Sequence, residues 1–189
     1  MAPMVPLVRF WAPIIVSAVG VFIVSSIIHM LLKFWHSPDY QGLSNEEEVG
    51  AAIRNGNPTA GMYMIPYCHL EEMKRPEARE KFERGPVGFL TLRPNGFPKV
   101  GNSMLLWFVF SLVVSIFSAY IGGLALGANA SAVQVLRIIW TVAFMSYGLA
   151  ALPNSIWWAQ PWGPTFKSLV DGVVYSLVTA AVFIWLWPH

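Results

Sequence analysis

The sequence predicts an all-α membrane protein: four transmembrane helices, with a small α+β extramembrane lobe between helices 1 and 2. Three observations predict it. Of the 189 residues, 56% are hydrophobic and only 12% are charged, about half the charged share of an ordinary soluble domain. Four apolar runs are each long enough to cross about 30 Å of hydrocarbon at about 1.5 Å per helical residue. One long polar segment, 34–103, separates the first run from the other three. It holds nine of the ten acids and, counting Lys33 at its border, nine of the twelve basic residues. The chain therefore divides into 1–33 (tail and first helix), 34–103 (lobe) and 104–189 (helices 2 to 4).

The first run is Phe10 to Leu32, with Pro13 in its first turn, where a missing N–H costs little. The apolar stretch is too long for a signal-peptide core and lacks a small-residue cleavage site, so the first helix reads as retained. The second run is Met104 to Leu126. The third is about Val133 to Leu152, ended by Pro153, and the fourth is Leu169 to Trp187, ended by Pro188. None carries a charge in its middle third.

Within the lobe, Ser44-Asn45-Glu46-Glu47 has the spacing of a capping box, which predicts a helix to about Asn55 that stops at Gly56-Asn57-Pro58. Met62 to Ile65 and Val87 to Leu92 read as short strands. Pro76 opens a short helix, Glu77 to Arg84, closed by Gly85-Pro86. The lobe has few apolar residues for a core, so it is expected to rest on the membrane or on a partner.

Topology follows from the positive charges. With the lobe inside, Lys33, Arg84, Arg93, Lys99 and Lys167 flank helices on the cytoplasmic side, leaving Arg9 and Arg137 outside. The positive-inside rule thus predicts a cytoplasmic lobe and both termini outside.

Three polar residues stand out as a candidate ligand or polar site. His29 lies well inside the first run, and His36 follows seven residues later on the same helical face. A buried histidine can ligate haem or a chlorin magnesium. A bis-histidine haem needs a second histidine at similar depth on another helix, and His69 and His189 are not so placed. A hydrogen-bonded histidine near the interface is the simpler reading, and no cofactor or metal is assigned. Asp171 is the single acid in or near the last three helices, with Lys167 at the spacing of a helical ion pair. Cys68-His69 with Met62, Met64 and Met73 nearby offers soft donors, but no second cysteine or histidine at ligand spacing, so packing is the preferred reading. With one cysteine there is no disulfide within the chain.

Ser111, Ser115, Ala119 and Gly123 recur every fourth residue on the second helix. Such a stripe lets backbones approach closely and reads as a packing face, within the bundle or against another subunit. Ser146 and Ala150 offer a shorter version on the third. Trp157, Trp158 and Trp162 crowd the connection between helices 3 and 4, and Trp11, Trp35, Trp107, Trp185 and Trp187 lie at helix ends, as in an aromatic belt. A Trp-rich loop could also grip a lipid, quinone or pigment.

Several stretches together resemble a known group. They are His36-Ser37-Pro38-Asp39-Tyr40 followed by Leu43 to Val49, Gly85 to Thr91, Asn154-Ser155-Ile156-Trp157, Gln160-Pro161-Trp162, and the ending Trp185-Leu186-Trp187-Pro188. The chain resembles, over nearly its whole length, an uncharacterised bacterial family of four-helix integral membrane proteins. The resemblance implies a bacterial inner-membrane location and contributes no catalytic residues.

No phosphate-binding loop, dinucleotide-binding glycine pattern, HExxH or nucleophile elbow is present, and no helix has the Gly/Pro-broken centre of a transporter. The expected role is a non-enzymatic accessory or scaffold subunit of a larger bacterial membrane complex, with a photosynthetic or respiratory assembly as a natural setting. Its partners would be membrane lipids and other membrane subunits. The net charge of +2 gives no reason to invoke nucleic acid. The alternatives are a small oligomeric transporter or channel, and a haem- or pigment-binding protein acting through His29.

Overall fold

A computed structural model describes residues 4–188; the first three residues of the tail and His189 lie outside the described residues. Four helical spans, Leu7–Leu31, Val100–Ala125, Ala132–Trp157 and Trp162–Trp185, are long and apolar enough to cross a membrane. These are the features of a multi-pass membrane protein.

The first span is not uniform. A 3-10 turn, Leu7–Phe10, leads into α1 (Trp11–Ser26), whose last turn widens into a π turn at Ile27–Leu31. The helix breaks at Leu32, whose φ of −85° and ψ of 60° are not helical, and resumes as the short α2 (Lys33–His36), followed by a 3-10 turn at Ser37–Asp39. Pro13 lies in the first turn of α1, where backbone N–H groups have no intrahelical acceptor.

The lobe then runs through α3 (Glu46–Asn55), β1 (Gly61–Ile65), α4 (Pro76–Arg84) and β2 (Gly88–Leu92). The two strands pair antiparallel with Tyr63 opposite Leu90. Each of these elements lies where the sequence places it, but the capping box at Ser44 does not form. The helix starts at Glu46 with Asn45 as its N-cap, and no side chain bonds its first N–H groups. The Asn45 side chain instead donates to Glu48 at 3.5 Å. The three acids at the start of α3 still favour that end electrostatically.

The remaining spans are α5 (Val100–Ala125), α6 (Ala132–Tyr147) continued through a 3-10 turn and α7 (Leu152–Trp157), and α8 (Trp162–Trp185). Pro153 does not end the third span. It occupies the first turn of α7, a position that needs no N–H donor, and the helix restarts there. A capping box does form at the start of α6, where Ser131 accepts from the Gln134 backbone N–H and the Gln134 side chain accepts from the Ser131 N–H.

In the bundle α1 packs on α5, α5 on α6, α6 on α8, and α8 back on α1, closing a ring of four. Two apolar clusters fill it. One, at the end holding the tail and the α5–α6 connection, joins Phe10, Ala119, Ile139, Phe183 and Trp187. The other, toward the lobe, joins Val21, Val114, Ala143, Tyr147 and Tyr175, with Trp35 and Trp107 packed against it.

Small residues set the closest approaches. Ser111, Ser115, Ala119 and Gly123 are all buried inside the bundle. Ser17 of α1 donates to Ser115 across the helix pair at 2.9 Å, and a Cβ on Gly123 would lie 2.7 Å from the Val5 carbonyl oxygen. On the third span the close contact is made by Gly148, not by Ser146 and Ala150. Ala150 is exposed, whereas a Cβ on Gly172 of α8 would lie 2.5 Å from the Gly148 Cα. Both partners there are main chain, so neither can rotate away.

The lobe lacks a core. Among its described side chains only Cys68 and Ala78 are buried. Beyond the α2 segment it also touches the bundle through Phe89 of β2, whose ring meets Trp158 at the end of the third span edge-on, 5.5 Å between centroids.

Two glycines of the same helix test this packing. Gly172→Ala is expected to destabilise the bundle by at least about 1–3 kcal/mol, as overpacking does. Gly163→Ala, with nothing within 4 Å of its added Cβ, should be neutral or stabilising by a few tenths of a kcal/mol, since alanine is the better helix former. Thermal unfolding of both variants in one detergent is the check, and equal shifts would remove the close-approach argument.

Candidate functional site

The polar residues of the bundle converge at its lobe end. α8 begins at Trp162, after the extended Pro161, which puts Lys167 and Asp171 in its second and third turns. The Asp171 side chain is 7% exposed. A carboxylate buried that far needs donors, and both come from α2. Trp35 Nε1 donates to one oxygen at 2.9 Å, and His36 Nε2 donates to the other at 2.7 Å.

His36 is bonded on both sides. Its Nδ1 lies 2.9 Å from Asp39 Oδ2. The ring thus bridges two carboxyl groups, one through each nitrogen. Asp39 takes its second bond from the Lys167 ammonium at 2.5 Å, and the same ammonium donates to the Trp35 carbonyl oxygen at 2.5 Å. Lys167, Asp39, His36 and Asp171 form one alternating chain, whose hydrogen bonds offset much of the cost of withdrawing these groups from water. The Lys167 ammonium holds the Asp39 carboxyl below its ordinary titration range.

His29 completes the cluster. It sits in the π turn, and its ring stacks on that of His36 with 4.4 Å between centroids and 15° between planes. Seven residues of straight helix would separate the two by about 10.5 Å along the axis. The π turn and the break at Leu32 bring them together. His29 Nε2 is 3.2 Å from the Tyr175 hydroxyl and 3.9 Å from Asp171 Oδ2. The His29 side chain is 50% exposed, because it stands between two openings. On one side is a cleft of about 390 Å³ bordered by His36, Asp39, Tyr40, Gln160, Pro161, Pro164 and Ser168. On the other is an apolar groove of about 300 Å³ between α1 and α5, bordered by Phe22, Met30, Met104 and Trp107 among others.

The three residues singled out separately in the sequence, His29, His36 and Asp171, are thus neighbours in space. They form the single group of potential metal-ligating side chains found among the described residues. Lys167, expected to pair with Asp171 one turn away on its own helix, pairs instead with Asp39 and ties α8 to the segment after α2. Cys68 and His69 do not join any such cluster; Cys68 is buried in the lobe, and the His69 ring faces Tyr67. Three of the tryptophans assigned to a belt are internal donors. Trp35 bonds Asp171, Trp107 bonds Ser25 and Trp187 bonds the Gly127 carbonyl. Trp11, Trp157, Trp158, Trp162 and Trp185 are exposed.

Sequence reasoning missed Trp35, Asp39 and Tyr175 as members of this site. The signal for two of them lay in the run Trp35-His36-Ser37-Pro38-Asp39, which carries an indole donor, an imidazole and a carboxylate within one turn-forming stretch beside the membrane. The hydroxyls of the bundle mostly bond within their own helices: Ser111 to the Trp107 carbonyl, Ser176 to Val173 and Thr179 to Tyr175.

Trp35→Phe keeps a smaller aromatic ring and removes one donor from a buried carboxylate. It should cost about 1.5–3 kcal/mol, as for a hydrogen bond to a charged group. Trp158→Phe, at an exposed ring outside the cluster, should cost far less; chemical denaturation of the two variants compares them. Asp39 titrates below its unfolded value near 3.8. Its contribution to stability is therefore complete above that pH and lost as the pH falls through the folded value. Lys167→Met should flatten that acid limb in melting temperatures measured from pH 5 downward.

No protein-family model, curated protein or solved structure matches this chain.

Proposed function

We propose that the chain is a non-enzymatic accessory subunit of a larger membrane assembly, anchored by its four-helix bundle and contacting its neighbours through the lobe. The observation that carries this reading is the lobe's surface. A segment of about seventy residues that buries two side chains still exposes Tyr40, Leu70 and Phe97 at 87%, 84% and 94%, together with Met62 and Tyr67. A lone two-stranded hairpin is marginal in water, and exposed apolar area of this kind marks an interaction surface.

A protein neighbour suits this surface better than a lipid one. From 34 to 103 there are nine acids against eight bases, so the lobe lacks the polybasic character that draws a segment to anionic headgroups. An apolar concavity of about 570 Å³ lies between Met62, Met64, Tyr67 and Phe89 of the hairpin region and Trp158 of the bundle. It can receive an apolar side chain from another subunit. The lobe faces the cytoplasm in this reading, because the positive charges at the helix ends concentrate on its side. The membrane is the bacterial inner membrane, as the family resemblance implies.

Gentle solubilisation from native membranes followed by native mass spectrometry tests the assembly role. The chain should leave the membrane in a complex, and Phe97→Asp or Leu70→Asp should release it without changing the helix content of the isolated protein. A lone monomer under the gentlest conditions would sink the proposal. Cys68 is only 8% exposed, so orientation is better read from Ser44→Cys on a cysteine-free background. An impermeant maleimide should label it after lysis and not in intact cells; labelling from outside reverses the topology.

A further inference from the structure

We propose that His29, His36 and Asp171 form a binding site for one divalent first-row transition ion, held by two imidazoles and a carboxylate at the lobe end of the bundle. This goes beyond the assembly role and does not depend on it.

The geometry is close to what an ion needs. A donor atom from each of the three side chains lies within 4.8 Å of the other two. His36 Nε2 is 2.7 Å and His29 Nε2 is 3.9 Å from the same carboxylate oxygen, Asp171 Oδ2. Around an ion with bonds of about 2.0–2.1 Å, tetrahedral ligand atoms stand about 3.3 Å apart. One spacing must open and the other close, each by about 0.6 Å, within reach of side-chain rotation. The ion would take the place of the proton that now joins His36 to Asp171.

The surroundings match the outer shell of a metal site. A ligating histidine characteristically donates its other ring nitrogen to a carboxylate, and a ligating carboxylate is itself hydrogen-bonded. Here Asp39 receives His36 Nδ1–H, and Trp35 Nε1–H holds the Asp171 oxygen that does not face the histidines. Lys167 in turn fixes Asp39. The supports come from α2, the turn after it and α8, so His36 and Asp171 are oriented before any ion arrives. Two imidazoles and one carboxylate favour zinc- or iron-like ions over magnesium or calcium, which prefer all-oxygen sites. Three protein ligands leave at least one coordination position, and the cleft of about 390 Å³ beside His29 and His36 gives it room for water or a small anionic or neutral ligand.

The ion pairs alone explain His36, Asp39, Asp171 and Lys167, and Tyr175 gives His29 Nε2 one hydrogen-bond partner at 3.2 Å. The His29 ring is half exposed, stacks on that of His36, and holds the same Nε2 3.9 Å from the shared carboxylate oxygen. A bound ion would draw that nitrogen from Tyr175 to the metal.

The test uses full-length protein purified in detergent on a histidine-free affinity tag, stripped with a chelator and titrated with Co²⁺. The expected result is one Co²⁺ per chain with a visible d–d absorption band that equimolar Zn²⁺ removes and millimolar Mg²⁺ does not. His29→Gln leaves the Asp39–His36–Asp171 chain intact, so it should keep the wild-type melting temperature without metal and weaken Co²⁺ binding by more than tenfold. Asp39→Asn should weaken it by about 10–100-fold, as loss of an outer-shell partner does. X-ray absorption of the Zn²⁺-loaded wild type needs no variant and should show backscattering from two imidazoles. No visible band, His29→Gln binding as tightly as wild type, displacement by Mg²⁺, or a zinc shell without imidazole would each overturn the site.

Discussion

One buried carboxylate organises the lobe end of the molecule. Asp171 stands on the inner face of α8 with 7% of its side chain exposed, where an unpaired charge would cost several kcal/mol. Satisfying it requires two donors from outside α8. The chain supplies them by breaking the first span at Leu32 and turning α2 so that Trp35 and His36 reach both oxygens. The π turn, the short α2, the Ser-Pro-Asp turn and the reach of Lys167 to Asp39 all lie around that grip. At the opposite end of the bundle the core is apolar, closed by Phe10, Phe183 and Trp187, and the first span enters there through a 3-10 turn with no break.

The bundle between these ends is held by close approach rather than by large side chains. In a bilayer apolar contact between helices carries no solvent-driven advantage over contact with lipid, so dispersion and interhelical hydrogen bonds matter more. The Gly148–Gly172 crossing, the Gly123 contact with the Val5 carbonyl and the Ser17–Ser115 bond are the places where this bundle meets that condition. The crossing lies next to Asp171 in sequence, so the tightest helix pair and the polar cluster share one stretch of α8. A shift of α6 on α8 would move the carboxylate that α2 grips.

Much of the architecture is legible from pattern. Four apolar runs, the short strands, the helix opened by Pro76 and the helix closing at Asn55 follow from hydropathy and from proline and glycine placement. What pattern does not carry is pairing over distance. Lys167 has a carboxylate one turn away on its own helix, and local spacing assigns the ion pair there. The break at Leu32 brings Asp39 closer and in better line. The same break turns two histidines one straight-helix face apart into stacked rings. Ser44 and Ser131 both begin a capping-box pattern, and only the second forms, because the first helix starts one residue later than its serine requires. The tryptophans divide for a similar reason: composition marks them as interfacial, whereas an available acceptor inside the bundle decides which three turn inward.

The Gly148–Gly172 contact also bears on how this sequence can vary. Every single-base change in a glycine codon that alters the encoded residue adds at least a Cβ. At Gly172 that atom would meet main chain at 2.5 Å, and main chain has no alternative rotamer to offer. The position therefore has no conservative neighbours one mutational step away. Relief would have to come from a second change that moves the two helices apart, and that movement would loosen the grip of α2 on Asp171. Drift along this face of α8 is confined by its backbone, while the lipid-facing side chains of the same helix remain free to exchange one apolar residue for another.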